Sequence, residues 1–153
     1  MGASAGVAWP GYLWAPGRPR RCFIAELRAF DLAGNAVNIL IVEDHADSAI
    51  ALARVIRARG HDAEIAHTCC QAKQLFAAFN FKLVLMDIGL PDGNGCDLLH
   101  ELINIRDAVF IAITAMATPH ELQAVSASGF SACLVKPFFP AELFSAIEEL
   151  SAS

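Results

Sequence analysis

Phe81-Lys82-Leu83-Val84-Leu85-Met86-Asp87-Ile88-Gly89-Leu90-Pro91-Asp92-Gly93 is the stretch that decides the fold. A run as apolar as Phe81–Met86 reads as a strand buried on both faces, because a half-exposed strand would alternate. The run closes at Asp87, with a glycine- and proline-rich segment directly after it, so Asp87 stands where the strand leaves the sheet. In an open parallel sheet, that carboxyl end is where ligands bind.

Outward from this strand, strand and helix patterns alternate five times from Asn38 onward. Asn38–Glu43 is a short apolar strand. Ala46–Arg59 carries Ala49, Ile50, Leu52, Ala53, Val55 and Ile56 as a helical stripe that Gly60 ends. Asp62–Ala66 alternates as a second strand, and Thr68-Cys69-Cys70-Gln71 fits a capping box that opens a helix to about Phe79. After Asp87 the pattern predicts a helix from about Cys96 to Ile105 and a strand over Val109–Thr114. Thr118-Pro119-His120-Glu121 is a second capping box, with proline at the first helical position, and its helix stops at Gly129. Ser131–Val135 is the fifth strand, and Pro140 opens a last helix to about Leu150. Strands separated by helices must run parallel, with right-handed crossovers that put helices on both faces. The expected fold class is therefore α/β: a flavodoxin-like, doubly wound, five-stranded parallel sheet in the order 2-1-3-4-5.

Composition agrees with a folded domain. The 153 residues are 56% apolar and can bury a sizeable core. The net charge of −5, with no basic run, argues against nucleic-acid binding, and no apolar stretch approaches the roughly 20 residues that span a bilayer. Five cysteines, odd in number and at no metal-ligand spacing, read as ordinary thiols of a reducing, cytoplasmic compartment. The adjacent Cys69 and Cys70 read as small helix residues rather than a redox pair, and the five histidines form no metal motif.

The chain divides near residue 37. Residues 1–37 hold Pro10, Pro16 and Pro19, both tryptophans and the single tyrosine, with little periodicity beyond a short helical turn around Cys22–Leu32. This segment is expected to be a poorly ordered extension ahead of a domain over 38–153. Val37 lies directly before the first strand, and a start there would give a chain without the extension; intact mass of the natively expressed protein decides this.

Glu43, Asp44, Asp87, Thr114 and Lys136 all fall at carboxyl ends of predicted strands, which no local folding rule demands. Three carboxylates within about 5 Å repel by roughly 3 kcal/mol per pair at an effective dielectric near 20, so they stay ionised only beside a cation. All-oxygen ligands with room for water suit magnesium better than zinc or copper. A carboxylate beside such a metal, a lysine and a hydroxyl is equipped to attack phosphorus and hold the product. Taken singly, Asp87 could cap a turn, Glu43 and Asp44 could cap a helix, and Lys136 could be a surface lysine; jointly these readings are improbable.

The segments Leu40-Ile41-Val42-Glu43-Asp44-His45, Leu85–Gly93, Ile113-Thr114-Ala115 and Leu134-Val135-Lys136-Pro137-Phe138 resemble the receiver domain of two-component response regulators. The resemblance runs from about Asn38 to Leu150. It implies Asp87 as phosphoacceptor and Glu43 and Asp44 as the acidic pair holding Mg2+, with Asp87 itself and the Gly89 backbone carbonyl as further ligands. It implies Thr114 as the switch hydroxyl and Lys136 as its ion-pairing partner, with a Lys136–Pro137 bond of the kind that is usually cis in the family. A histidine kinase or histidine phosphotransfer protein would supply the phosphoryl group, and a downstream protein partner would read the result. The fourth helix, fifth strand and fifth helix would form the signalling face, including a homodimer contact. Such a protein is a phosphorelay switch, not a turnover enzyme, since it catalyses only its own phosphorylation and dephosphorylation.

Two positions depart from the family pattern. Cys133 stands where tyrosine or phenylalanine is usual, three residues before the lysine, and is too small to reproduce the usual ring movement; Phe130 lies just upstream and could fill the space. Nearby carboxylates are expected to raise the Cys133 pKa and leave it unreactive. Gly89 and Met116, two residues beyond the aspartate and the threonine, offer no group to orient water, so self-dephosphorylation is expected to be slow. No effector domain follows the last helix, which predicts output through protein contacts from a single-domain regulator or a receiver similar to those of hybrid histidine kinases. The competing reading is a phosphorylation-independent pseudo-receiver that acts as a binding module. A phosphatase with an aspartate nucleophile is disfavoured, because Asp87-Ile88-Gly89 lacks the second aspartate.

Overall fold

A computed structural model of the chain describes residues 8–9, 12–14, 36–106, 108–115 and 118–152. Two short strands, β1 (Ala8–Trp9) and β2 (Tyr12–Trp14), precede β3 (Asn38–Val42). Then come α1 (Ala46–Ala58), β4 (Asp62–Ala66), α2 (Cys69–Ala78), β5 (Leu83–Asp87), β6 (Gly89–Leu90), β7 (Gly93–Asn94) and α3 (Gly95–Ile105). β8 (Val109–Thr114), α4 (Pro119–Ser128), β9 (Ala132–Val135) and α5 (Pro140–Ala152) complete the order.

Strands β4, β3, β5, β8 and β9 lie side by side and all pair in parallel, which is the predicted 2-1-3-4-5 order. The order reverses between β3 and β5, so a crevice opens at their carboxyl ends. Two additions lie beyond the expected five strands: β2 pairs antiparallel with β9, Leu13 opposite Cys133, with β1 antiparallel to β2, and β6 and β7 form a separate antiparallel hairpin. Strands of two and three residues are too short to carry a period, so no pattern in the chain announces them. Most of the expected extension, including the turn around Cys22–Leu32, lies outside the described residues.

The apolar runs are explained by helices on both faces. Ile39, Ile41, Leu83, Leu85, Ile111 and Leu134 pack with Ala49, Ala53 and Ile56 of α1 and Leu143 and Ala146 of α5. Leu40, Val84, Met86, Phe110 and Ala112 face the other way, onto Phe76 of α2, Leu98 and Leu102 of α3 and Val125 of α4. Every residue of β5 is buried, and each large aliphatic side chain so buried contributes about 1.5–3 kcal/mol. This fixes the strand that ends on Asp87. The predicted stripe on α1 needs one correction: Ile50 is 45% exposed, because it points away from the sheet.

The helix ends follow local chemistry. Gly60 and Gly129, expected to stop α1 and α4, have φ of +89° and +109°, conformations that favour glycine. The Thr118–Glu121 capping box is complete in both directions. The Thr68–Gln71 box is half formed: Thr68 Oγ1 accepts from Gln71 N at 3.1 Å, but Gln71 Oε1 accepts from His67 N rather than from Thr68 N.

Candidate functional site

The crevice gathers side chains from four strand ends. Glu43 follows β3 and is buried, Asp87 ends β5 and is buried, and Thr114 ends β8 and is buried. Lys136 follows β9 and is half-buried, and its backbone N–H donates to the Thr114 carbonyl at 2.8 Å. The Lys136 ammonium donates to Glu43 Oε2 at 2.7 Å and to Asp87 Oδ2 at 3.1 Å. The other Asp87 oxygen, Oδ1, accepts from Gly89 N at 3.0 Å, and Glu43 Oε1 accepts from His45 N at 3.2 Å. Asp44 is exposed at the rim, and one oxygen each of Glu43, Asp44 and Asp87 lie within 4.8 Å of one another. The turn-capping role open to Asp87 from sequence alone is thus present beside the ion pair, and the two are compatible.

Electrostatics in this cluster are governed by burial. Removal from water pushes the Glu43 carboxyl above the ordinary glutamate value, and the Asp87 charge adds to this; the bonds from Lys136 and His45 offset only part of it. Burial alone would lower the Lys136 pKa, but the hydrogen bonds and charges of Glu43 and Asp87 together outweigh it and the net shift is upward. One ammonium faces three carboxylates, so the cluster still calls for cationic charge.

The fold and this cluster meet in known proteins. The family described as the response regulator receiver domain matches residues 39–148. The chain belongs to that family. It is 35% identical over 99 residues to a response regulator receiver protein of Anaeromyxobacter sp. (strain Fw109-5), covering 64% of this chain and 42% of that protein. It is 25% identical over 123 residues to the sensory/regulatory protein RpfC of Xanthomonas campestris, covering 77% of this chain but 17% of RpfC, so it spans a minor part of those relatives. The crystal structure of a CheY-like receiver domain protein from Methanospirillum hungatei JF-1 superposes with a TM-score of 0.72 at 28% identity, covering 77% of this chain and 95% of that one.

Receivers bind magnesium in an acidic pocket, and Glu43, Asp44 and Asp87 form the candidate pocket of this receiver. Carboxylates that offer oxygen alone, one of them at the solvent-exposed rim, fit a hard divalent cation that keeps several waters. Gly89 is exposed, and the segment that carries it folds back on itself as the β6–β7 hairpin, Gly89 opposite Asn94 and Leu90 opposite Gly93. Gly95 closes the hairpin's base: its N–H donates to the Ile88 carbonyl at 2.8 Å, and a Cβ there would lie 2.7 Å from the Asp87 carbonyl oxygen. The Lys136–Pro137 peptide is cis, as the resemblance implied.

A groove of about 550 Å³ runs from Glu43 and Lys136 along α1 to the start of α5, lined by Leu52, Val55, Pro137 and Phe138 among others. Behind the site, Cys133 and Phe130 are both buried in the cluster formed with Leu98, Leu99 and Val125. Burial, with a smaller effect from Cys96, raises the Cys133 thiol to about 11. The cause expected from sequence, nearby carboxylates, is not the operative one, because Cys133 points to the α3–α4 side of the sheet. Met116 lies outside the described residues.

Sequence reasoning missed two contributors. Asp92 reaches the first turn of α2, where Oδ1 accepts from Cys69 N at 2.8 Å and Oδ2 from Cys70 N at 3.2 Å. His67 meets the Glu43 carbonyl oxygen through Nδ1 at 2.9 Å. Both contacts join residues more than twenty positions apart, and no spacing rule announces them.

Proposed function

We propose that this receiver accepts a phosphoryl group on Asp87 from the phosphohistidine of a histidine kinase or histidine phosphotransfer protein. The observation that carries the reading is the reach of Lys136, from the end of β9, to both Glu43 and Asp87. An Asp87 oxygen attacks phosphorus in line, the P–N bond breaks, and the imidazole leaves with the electron pair. Gly89 N–H orients the carboxylate for that approach. Glu43, Asp44, Asp87 and the Gly89 carbonyl would hold magnesium, which when bound neutralises charge on the transferred phosphoryl oxygens. Lys136 then moves from the carboxylates to the new dianion, and the Thr114 hydroxyl donates to it, biasing the α4–β9–α5 face.

Receivers are not turnover enzymes, and this one catalyses only changes to its own Asp87. With Gly89 offering no side chain to orient water, self-dephosphorylation is slow. Output passes through contacts with a downstream protein, not nucleic acid, in the cytoplasm, where the four described cysteines, all unpaired, stay reduced. A homodimer through the α4–β9–α5 face has to accommodate β2, which lies along β9.

Incubation with acetyl phosphate and magnesium, read by intact mass, is expected to add one phosphoryl group to the wild type and none to Asp87→Asn. A second reading, a phosphorylation-independent binding module, draws on Cys133, a small buried thiol at the position where the family uses a ring. No mass gain on the wild type selects that reading.

A further inference from the structure

The geometry points to Asp92 as a positioning residue: by latching the β6–β7 hairpin to the amino end of α2, it sets the place of Gly89 at the metal and phosphoryl site. This rests on the magnesium reading above and adds to it a residue outside the acidic cluster.

The hairpin cannot hold itself. It has two residues per strand, with Pro91-Asp92 at its corner, far below the size at which two strands are stable alone. Its base is tied to the site, where Gly89 N–H donates to Asp87 Oδ1 at 3.0 Å and Gly95 N–H donates to the Ile88 carbonyl at 2.8 Å. Its tip is tied by Asp92. The first amides of a helix lack partners within it, and here Asp92 accepts from Cys69 N and Cys70 N while Thr68 Oγ1 accepts from Gln71 N. A charged acceptor on backbone N–H groups at a helix amino end is among the stronger hydrogen-bonding arrangements. Next to it the surfaces are close: a Cβ on Gly93 would lie 3.1 Å from Cys69 Sγ, tighter than an ordinary contact, so α2 and the hairpin would have to give by a few tenths of an ångström to admit one. Gly89 is three residues from Asp92 along the same hairpin, so release of the tip loosens both the Gly89 carbonyl proposed to face the metal and the Gly89 N–H that donates to Asp87 Oδ1.

A helix cap alone would act on stability and nothing else. Metal affinity of the folded protein separates the two roles, because groups that orient a ligand usually change affinity when removed. Calorimetric titration of the full chain with magnesium chloride, well below the unfolding temperature, is to be compared for wild type, Asp92→Ala, Asp92→Asn and Thr68→Ala. Asp92→Ala is expected to weaken magnesium binding about tenfold. Asp92→Asn should fall between, since the amide keeps one acceptor but sets an NH2 against a backbone N–H. Thr68→Ala removes a cap of the same helix without touching the hairpin, and should leave the affinity at the wild-type value. Wild-type affinity in both folded Asp92 variants overturns the inference and leaves the proposed function standing. An equal loss in Thr68→Ala also overturns it, by assigning the effect to the helix. A wild type that binds no magnesium overturns the proposed function and this inference together.

Discussion

The Lys136 ammonium lies closer to Glu43, at 2.7 Å, than to Asp87, at 3.1 Å, although Asp87 is the proposed nucleophile. The lysine is therefore a resident counter-ion of the acidic pair before any phosphoryl group arrives. It neutralises two of the three carboxylates that form the candidate metal pocket. Replacing it with methionine keeps most of the apolar stem and removes the charge. The protein without metal should lose about 1–3 kcal/mol of stability, less than a fully buried pair because Lys136 is partly solvated. Magnesium affinity at pH 8 should rise on the order of threefold, because a competing positive charge is gone. Urea unfolding with and without magnesium, together with titration calorimetry, checks both; weaker magnesium binding in Lys136→Met would contradict the arrangement.

Glu43 gives the site a pH dependence whose sign is fixed. Its carboxyl is raised above the ordinary 4.5, chiefly by burial, so the folded protein holds that proton more tightly than the unfolded chain does. Folding stability from this group is full below the ordinary value and is lost as pH rises through the raised one. Magnesium needs the ionised form, so its affinity should fall as pH drops through the raised Glu43 value, before ordinary carboxylates protonate. Calorimetric titrations from pH 8 down to pH 4.5 test this, and Glu43→Gln should bind weakly without that pH dependence. A wild-type affinity that stays flat across the range would exclude Glu43 from the metal set.

Much of this was legible in the chain because burial leaves a pattern. Phe81–Met86 could only be a strand covered on both sides, and such a strand places its last residue, Asp87, in the crevice. Glu43, Thr114 and Lys136 were legible for the same reason, each lying at the end of an apolar run. What the sequence hid are contacts that carry no period. Asp92 satisfies amides 23 and 22 residues away, and β2 joins β9 from more than a hundred residues upstream. Ile50 was misplaced because a stripe counted by composition does not say which apolar residue lies at its edge.

The cysteines differ in burial, and their chemistry should follow. Burial, joined at Cys69 by the hydrogen bond and charge of Asp92, pushes both Cys69 and Cys133 to about 11, while Cys70, the next residue after Cys69, is exposed. At pH 8 a thiol with such a value is only about one part in a thousand thiolate, and the thiolate is the form that reacts. Iodoacetamide at pH 8 should therefore modify Cys70 well before Cys69 or Cys133, resolved by fragmentation of the labelled peptides. Unfolding in urea should erase the difference. Early labelling of Cys133 in the folded protein would contradict its place in the core.

Phe130 and Cys133 are buried in the same cluster, and their shared space can be measured. If Phe130 occupies the room that a ring at position 133 would need, Cys133→Phe overpacks the core and costs about 1–3 kcal/mol. Phe130→Ala alone leaves a cavity and costs about 3–5 kcal/mol. The double variant Phe130→Ala/Cys133→Phe should then lose less than the sum of the two, by at least about 1 kcal/mol, because the new ring fills the cavity left by the old one. Denaturant unfolding of the four proteins completes the cycle. Additive losses would mean that the two side chains share a cluster but not a space, and that Phe130 does not stand in for the missing ring.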